Sequence, residues 1–228
     1  MRYLILIIFV FNLVGCATVH NTSITPPKDF GKGNEISTSG AISFTGFNGS
    51  IAYSPINNIF IHGLVNRYGS KTYDFHHAYQ FGIGGYFNFK RFNLEAEIGY
   101  GNGNFEWKNF GNSGALNTLE EVNGTYKQFY GSFSSTFDNI FGVTLRFGKV
   151  DSEYSYIENP FGFQYLANTP YQNIYAGALF FLKKETEVGI TLFATYSFDI
   201  YSGKGIITKH PYILGLGIKY NLNFSKKV

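Results

Sequence analysis

One cysteine, one tryptophan and one methionine occur in 228 residues. The lone cysteine, Cys16, leaves no disulfide framework to hold a fold together. Charge is scarce too: 18 Lys and Arg with 15 Asp and Glu make up 14% of the chain, against roughly 25% in ordinary soluble domains. The formal net charge of +3 is too small and too scattered to suggest a nucleic-acid partner. Beyond Cys16 no apolar run approaches the roughly 20 residues of a transmembrane helix. What is abundant is different in kind. Aromatic residues reach 19%, with 25 Phe and 18 Tyr, and glycine contributes 27 residues. With mean hydropathy near zero, that mixture is what two-faced strands give in a transmembrane β-barrel.

The period supports strands almost everywhere after residue 38. Tyr79, Phe81, Ile83, Phe87 and Phe89 alternate with Gln80, Gly82, Gly84 and Asn88. Phe92, Leu94, Ala96, Ile98 and Tyr100 alternate with Asn93, Glu95, Glu97 and Gly99. The same holds for 141–147, 188–198 and 212–224. A period of two places one set on each face of a strand. Connections alternate as well: short ones at 55–58, 89–92, 135–139 and 183–187, longer polar ones at 67–77, 107–124, 152–172 and 201–211. Nine strands follow residue 50, and parity calls for a tenth at 38–46, with Asn48-Gly49 as a tight turn beside it. The expectation is an all-β, antiparallel up-and-down barrel of ten strands, with eight as the alternative count.

The polar face carries few charges: Glu95, Glu97, Arg146, Glu187 and Lys219. That is a poor coat for a water-facing surface and a reasonable neutralising network for a narrow lumen. The two glutamates are expected to bridge to Arg146 or Lys219. Barrels of this size are filled by side chains, and glycines such as Gly82, Gly84, Gly99, Gly142, Gly215 and Gly217 would relieve the crowding. Tyr79, Tyr100, Tyr130, Tyr196 and Tyr212 stand near strand ends and are expected in aromatic girdles.

The first residues carry an address. Arg2 precedes an apolar core from Leu4 to Val14 that is too short to span a bilayer, as in a signal peptide. It ends in Leu13-Val14-Gly15-Cys16, which resembles a bacterial lipobox. The resemblance implies removal of 1–15, a lipid on Cys16, and lipoprotein-processing enzymes as partners. Ala17 lacks the aspartate associated with retention at the inner membrane, so delivery to the outer membrane is expected. Residues 16–37, polar and carrying Pro26-Pro27, read as a tether, and 38–228 as the barrel.

The last strand, Gly217-Ile-Lys-Tyr220-Asn-Leu222-Asn-Phe224, resembles the terminal signal read by the barrel assembly machinery, departing from it in the tail after Phe224. Leader, alternation and this strand together resemble small outer-membrane β-barrels of Gram-negative bacteria over about 38–224. The expectation is a monomer in outer-membrane lipid, anchored also at the periplasmic leaflet through Cys16, without a cofactor or metal.

Chemistry is thinly marked. Tyr73-Asp74-Phe75-His76-His77 is the best cluster, in which Asp74 could orient His76 as a general base or the histidines could hold a metal. No nucleophile is indicated by spacing. The expectation is a non-enzymatic outer-membrane lipoprotein acting in adhesion, interaction or envelope integrity. The alternatives are a membrane-embedded hydrolase of lipid A or peptides at the outer rim, and a narrow pore for small solutes.

Overall fold

Strands with one apolar face can satisfy every backbone amide in a membrane only by closing on themselves. The computed structural model, which describes residues 28–31, 33–43, 46–69, 75–110, 119–138, 140–158, 165–184, 189–202 and 212–224, has this closed form. Its ten strands among those residues are β1 (Glu35–Ser43), β2 (Gly46–Ile56), β3 (Ile59–Gly69), β4 (Phe75–Asn88), β5 (Phe92–Phe110), β6 (Leu119–Phe137), β7 (Phe141–Glu158), β8 (Tyr165–Lys184), β9 (Gly189–Ser202) and β10 (Tyr212–Asn223). Each pairs antiparallel with the next. The ring closes where β1 meets β10, from Glu35 opposite Asn223 to Ser43 opposite Gly215.

Two expectations about connections need correcting. Asn48 and Gly49 lie within β2, where they pair with Ala41 and Gly40 of β1. The longer connections also shrink. β5 and β6 stay paired from Phe92 opposite Phe137 up to Phe110 opposite Leu119, and β7 with β8 up to Glu158 opposite Tyr165. A hairpin needs only backbone partners to continue, so polar sequence that looked like loop extends the ladder instead. At the opposite end the turns are tight. Asn58 and Asp138 take left-handed backbone there, with φ of 70° and 47°, a conformation that Asn and Asp tolerate better than other non-glycine residues.

The polarity is inverted relative to a soluble barrel. Phe81, Phe87, Ile98, Phe129, Phe133, Phe147, Leu216 and Ile218 all point outward and are exposed, while Gln80, Glu95, Glu97, Gln128, Thr144, Arg146 and Lys219 are buried inside. The apolar outer band is bounded. On β5 the outward series Phe92 to Tyr100 gives way to Asn102 and Asn104, and on β7 Phe141 to Phe147 gives way to Lys149, Asp151 and Glu153. From Phe92 to Tyr100 the strand advances roughly 26 Å, or roughly 20 Å across a bilayer at the usual tilt, close to the apolar belt of about 25 Å in such barrels.

Tyr79 and Tyr100 face outward near the upper edge of that band. Tyr130 does not belong with them: Phe129, Phe133 and Phe137 hold the outer phase of β6, so Tyr130 turns inward and is buried. The side chains of Tyr196 and Tyr212, all of residues 1–27 including Cys16, and Asp74 and Glu187 lie outside the described residues.

Candidate functional site

Lys28, Asp29, Glu95, Glu97, Arg146 and Lys219 gather in the lumen. On β5, Asn93, Glu95 and Glu97 fall two residues apart and so share the inner face. Carboxylates in so narrow a space need close partners to stay ionised. The chain just upstream of β1 supplies them. Residues 28–31 turn into the mouth of the barrel, where Lys28 and Phe30 are buried. The expected tether over 16–37 is therefore shorter than the spacing suggested: 28–31 form a plug and β1 already begins at Glu35.

The plug is held along its whole length. The backbone amides of Lys28 and Asp29 donate to Glu95 Oε2 and Oε1 at 3.0 and 2.7 Å. The Lys28 ammonium pairs with Glu97 and lies 4.9 Å from the Phe60 ring centroid. Asp29 receives the Lys219 ammonium and, at 2.6 Å, the Thr136 hydroxyl. Phe30 packs with Ala52, Phe60 and Tyr86, its ring centroid 5.7 Å from that of Phe60 and 5.3 Å from that of Tyr86. Ser37, Asn221 and Asn88 donate to the plug carbonyls. Apart from the Ser37 bond, which spans nine residues, these hydrogen bonds link residues far apart in sequence, so little that is local announces the plug.

Above it sits a second layer. His62 Nδ1 is 2.9 Å from Glu97 Oε1, and the Tyr130 hydroxyl donates to the same oxygen at 2.7 Å. Arg146 stacks on Tyr130, with Cζ 4.0 Å from the ring centroid, and its Nη1 donates to Gln80 Oε1 at 2.7 Å. Glu97 thus draws Lys28, His62 and Tyr130 together, with Arg146 behind the tyrosine. Lys219 answers Asp29. His62, isolated in sequence, belongs to this cluster because of a glycine. It lies opposite Gly82 on β4, and a methyl at Gly82 would collide with the Glu97 carboxylate, so Glu97 crosses β4 through the space that Gly82 leaves open.

The histidine cluster of the sequence divides between the two faces. His76 is buried and stacks parallel to Tyr126 at 5.6 Å between ring centroids. Its Nδ1 lies 3.0 Å from Asn66 Oδ1 and its Nε2 lies 2.6 Å from the Tyr126 hydroxyl. Both ring nitrogens are engaged, which suits a structural imidazole and not a free base. His77 points outward, 4.5 Å from Tyr79 between ring centroids. Adjacent strand residues face opposite ways, so the two cannot share one metal. Among the described residues no three His, Cys, Asp or Glu side chains gather as a metal-binding group.

Of the terminal-signal residues, Gly217 is buried inside while Tyr220, Leu222 and Phe224 project outward beside the β1–β10 junction. No family model matches the chain, and no curated protein matches it. Among solved structures it is similar to the translocator domain of autotransporter NalP from Neisseria meningitidis, with 12% identity, 82% of this chain and 86% of that chain covered, and a TM-score of 0.41.

Proposed function

We propose that this chain is an outer-membrane lipoprotein whose barrel is a closed, membrane-embedded platform for surface hairpins. The observation that carries the reading is the inverted polarity: an exposed apolar band outside, and a lumen occupied by hydrogen-bonded polar side chains and the chain's own plug. An apolar exterior of this extent is costly in water and favourable in a bilayer. The β5–β6 and β7–β8 hairpins continue well past the polar rim, so they would stand above the outer surface and meet partners there. Adhesion, another interaction at the cell surface, or support of the envelope all follow from such hairpins. His76 is no part of that reading as a base, since both its ring nitrogens are occupied.

The lipid reading of Cys16 is compatible with the plug. Eleven residues lie between Cys16 and Lys28, a reach of about 40 Å when extended. That is ample for a return from the lumen mouth to the adjacent leaflet. Two measurements test the proposal together. The folded protein should migrate differently on gels before and after boiling, and it should show no conductance steps in planar bilayers. Unchanged migration would remove the membrane barrel; steady conductance would remove the closed lumen.

A further inference from the structure

The outward face of β4–β7 carries a groove of about 600 Å³ lined by Phe81, Ile83, Ile98, Tyr100, Phe129 and Phe147. Its floor is glycine. Gly131 points outward, and a methyl placed there would meet only the Glu97 carbonyl oxygen, at 4.0 Å. The groove is therefore left open by the absence of one outward side chain, while Tyr100 and Phe129, 5.0 Å apart between ring centroids, wall its upper end.

Its position in the band is informative. Tyr100 pairs with Phe129, and one step higher on the outer face Asn102 pairs with Lys127. Lys149 lies directly opposite Phe129 on β7. Two exposed lysines therefore sit on adjacent strands immediately above an apolar groove, at the level where the band ends. Asp151, opposite Lys127, is 3.1 Å from the Lys149 ammonium, with the side chains of both partly exposed. An ion pair that exposed is weak and readily exchanged.

We infer that this groove seats an acyl chain of an outer-leaflet lipid whose phosphomonoester is bound by Lys127 and Lys149. The chemistry selects the ligand. A phosphomonoester carries between one and two negative charges near neutral pH and suits two ammonium groups, whereas a phosphodiester headgroup brings only one charge. Basic residues at a bilayer boundary attract such headgroups, and the groove below supplies a place for a chain attached close to the phosphate. Phosphorylated, multiply acylated glycolipid of the lipid A type has both features. This inference rests on the membrane-embedded reading.

The test uses the full chain in nanodiscs of phosphatidylcholine doped with diphosphoryl lipid A, with lipid retention read by native mass spectrometry and affinity by titration. Diphosphoryl lipid A should be retained, and dephosphorylated lipid A and phosphatidylglycerol should be lost under the same conditions. Lys127→Gln with Lys149→Gln should weaken retention roughly thirtyfold, at about 1 kcal/mol per lysine. Gly131→Leu should displace the lipid while heat-modifiable migration in detergent stays unchanged, showing that the barrel remains folded. Equal retention of the dephosphorylated lipid or of phosphatidylglycerol overturns the phosphate site, and so does retention indifferent to the lysine pair. Full retention by Gly131→Leu overturns the groove as the seat. A parent protein that fails to shift on boiling overturns both the groove and the membrane reading, whereas a shifting parent that ignores lipid A overturns the groove alone.

Discussion

Glycine positions decide more of this lumen than charged positions do. Gly82 opens β4 to the Glu97 carboxylate, and Gly99 receives the Tyr130 ring, so a methyl at either would overlap its neighbour. Overpacking of this kind costs about 1–3 kcal/mol. Gly82→Ala and Gly99→Ala should each lower the temperature at which the folded gel band converts to the unfolded one. Gly131→Ala should leave it within error, because its methyl meets open space. Pairing Gly99→Ala with Tyr130→Ala should recover part of the loss by removing the ring that collides. Tyr126→Phe should cost about 1 kcal/mol, the usual worth of one hydrogen bond, since it strips His76 Nε2 of its 2.6 Å partner. These roles were only half legible in the sequence. That Gly82 and Gly99 face inward follows from their parity beside Gln80 and Glu97; which side chain fills each space depends on the register of three strands.

The plug is the element with the largest consequence. Lys28→Glu would set a third carboxylate against Glu95 and Glu97, and an uncompensated buried charge costs about 3–5 kcal/mol. The segment should leave the lumen. Limited proteolysis of the folded barrel should then cut within residues 28–34 of Lys28→Glu, while the parent resists; equal resistance would show that the plug does not depend on this pair. Strands were legible because their apolar phase is written locally: Phe92, Leu94, Ala96, Ile98 and Tyr100 need no distant information to point one way. The plug was not. Lys28-Asp29-Phe30 has no period, and the residues that hold it, Glu95, Glu97, Thr136 and Lys219, sit on three different strands. Hairpin length is hidden in the sequence for a related reason. The polar sequence of 107–110 and 119–124 offers no strict apolar alternation to read, although the backbone ladder of β5 and β6 continues.

For the whole molecule, burial runs opposite to that of a soluble protein, and so does the expected response to solvent. Transfer from detergent to water should aggregate the folded barrel, because Phe81, Ile98 and Phe87 are 71%, 68% and 60% exposed and so large an exposed apolar surface associates in water. Cys16→Ala should alter delivery to the outer membrane more than retention there, measured as the ratio of outer-membrane to inner-membrane protein after fractionation. On the proposed lipoprotein reading the barrel would be the stronger anchor, since ten strands embed far more apolar surface than a lipid would. Mislocalised protein that nonetheless resists extraction would fit; protein that reaches the outer membrane normally and then washes off would not.

The junction of β1 with β10 makes the chain almost a ring. The Phe224 amide donates to the Asn34 carbonyl at 3.0 Å, so the last strand returns to the point where the first begins. Geometrically, any of the tight turns at that mouth could carry the chain ends, and a permuted gene opened at Asn57–Asn58, with a linker joining the old ends, would encode the same ladder of hydrogen bonds. Lys28 to Gly31 would then become an internal loop, compelled to enter the lumen as a fold-back with both of its ends tied.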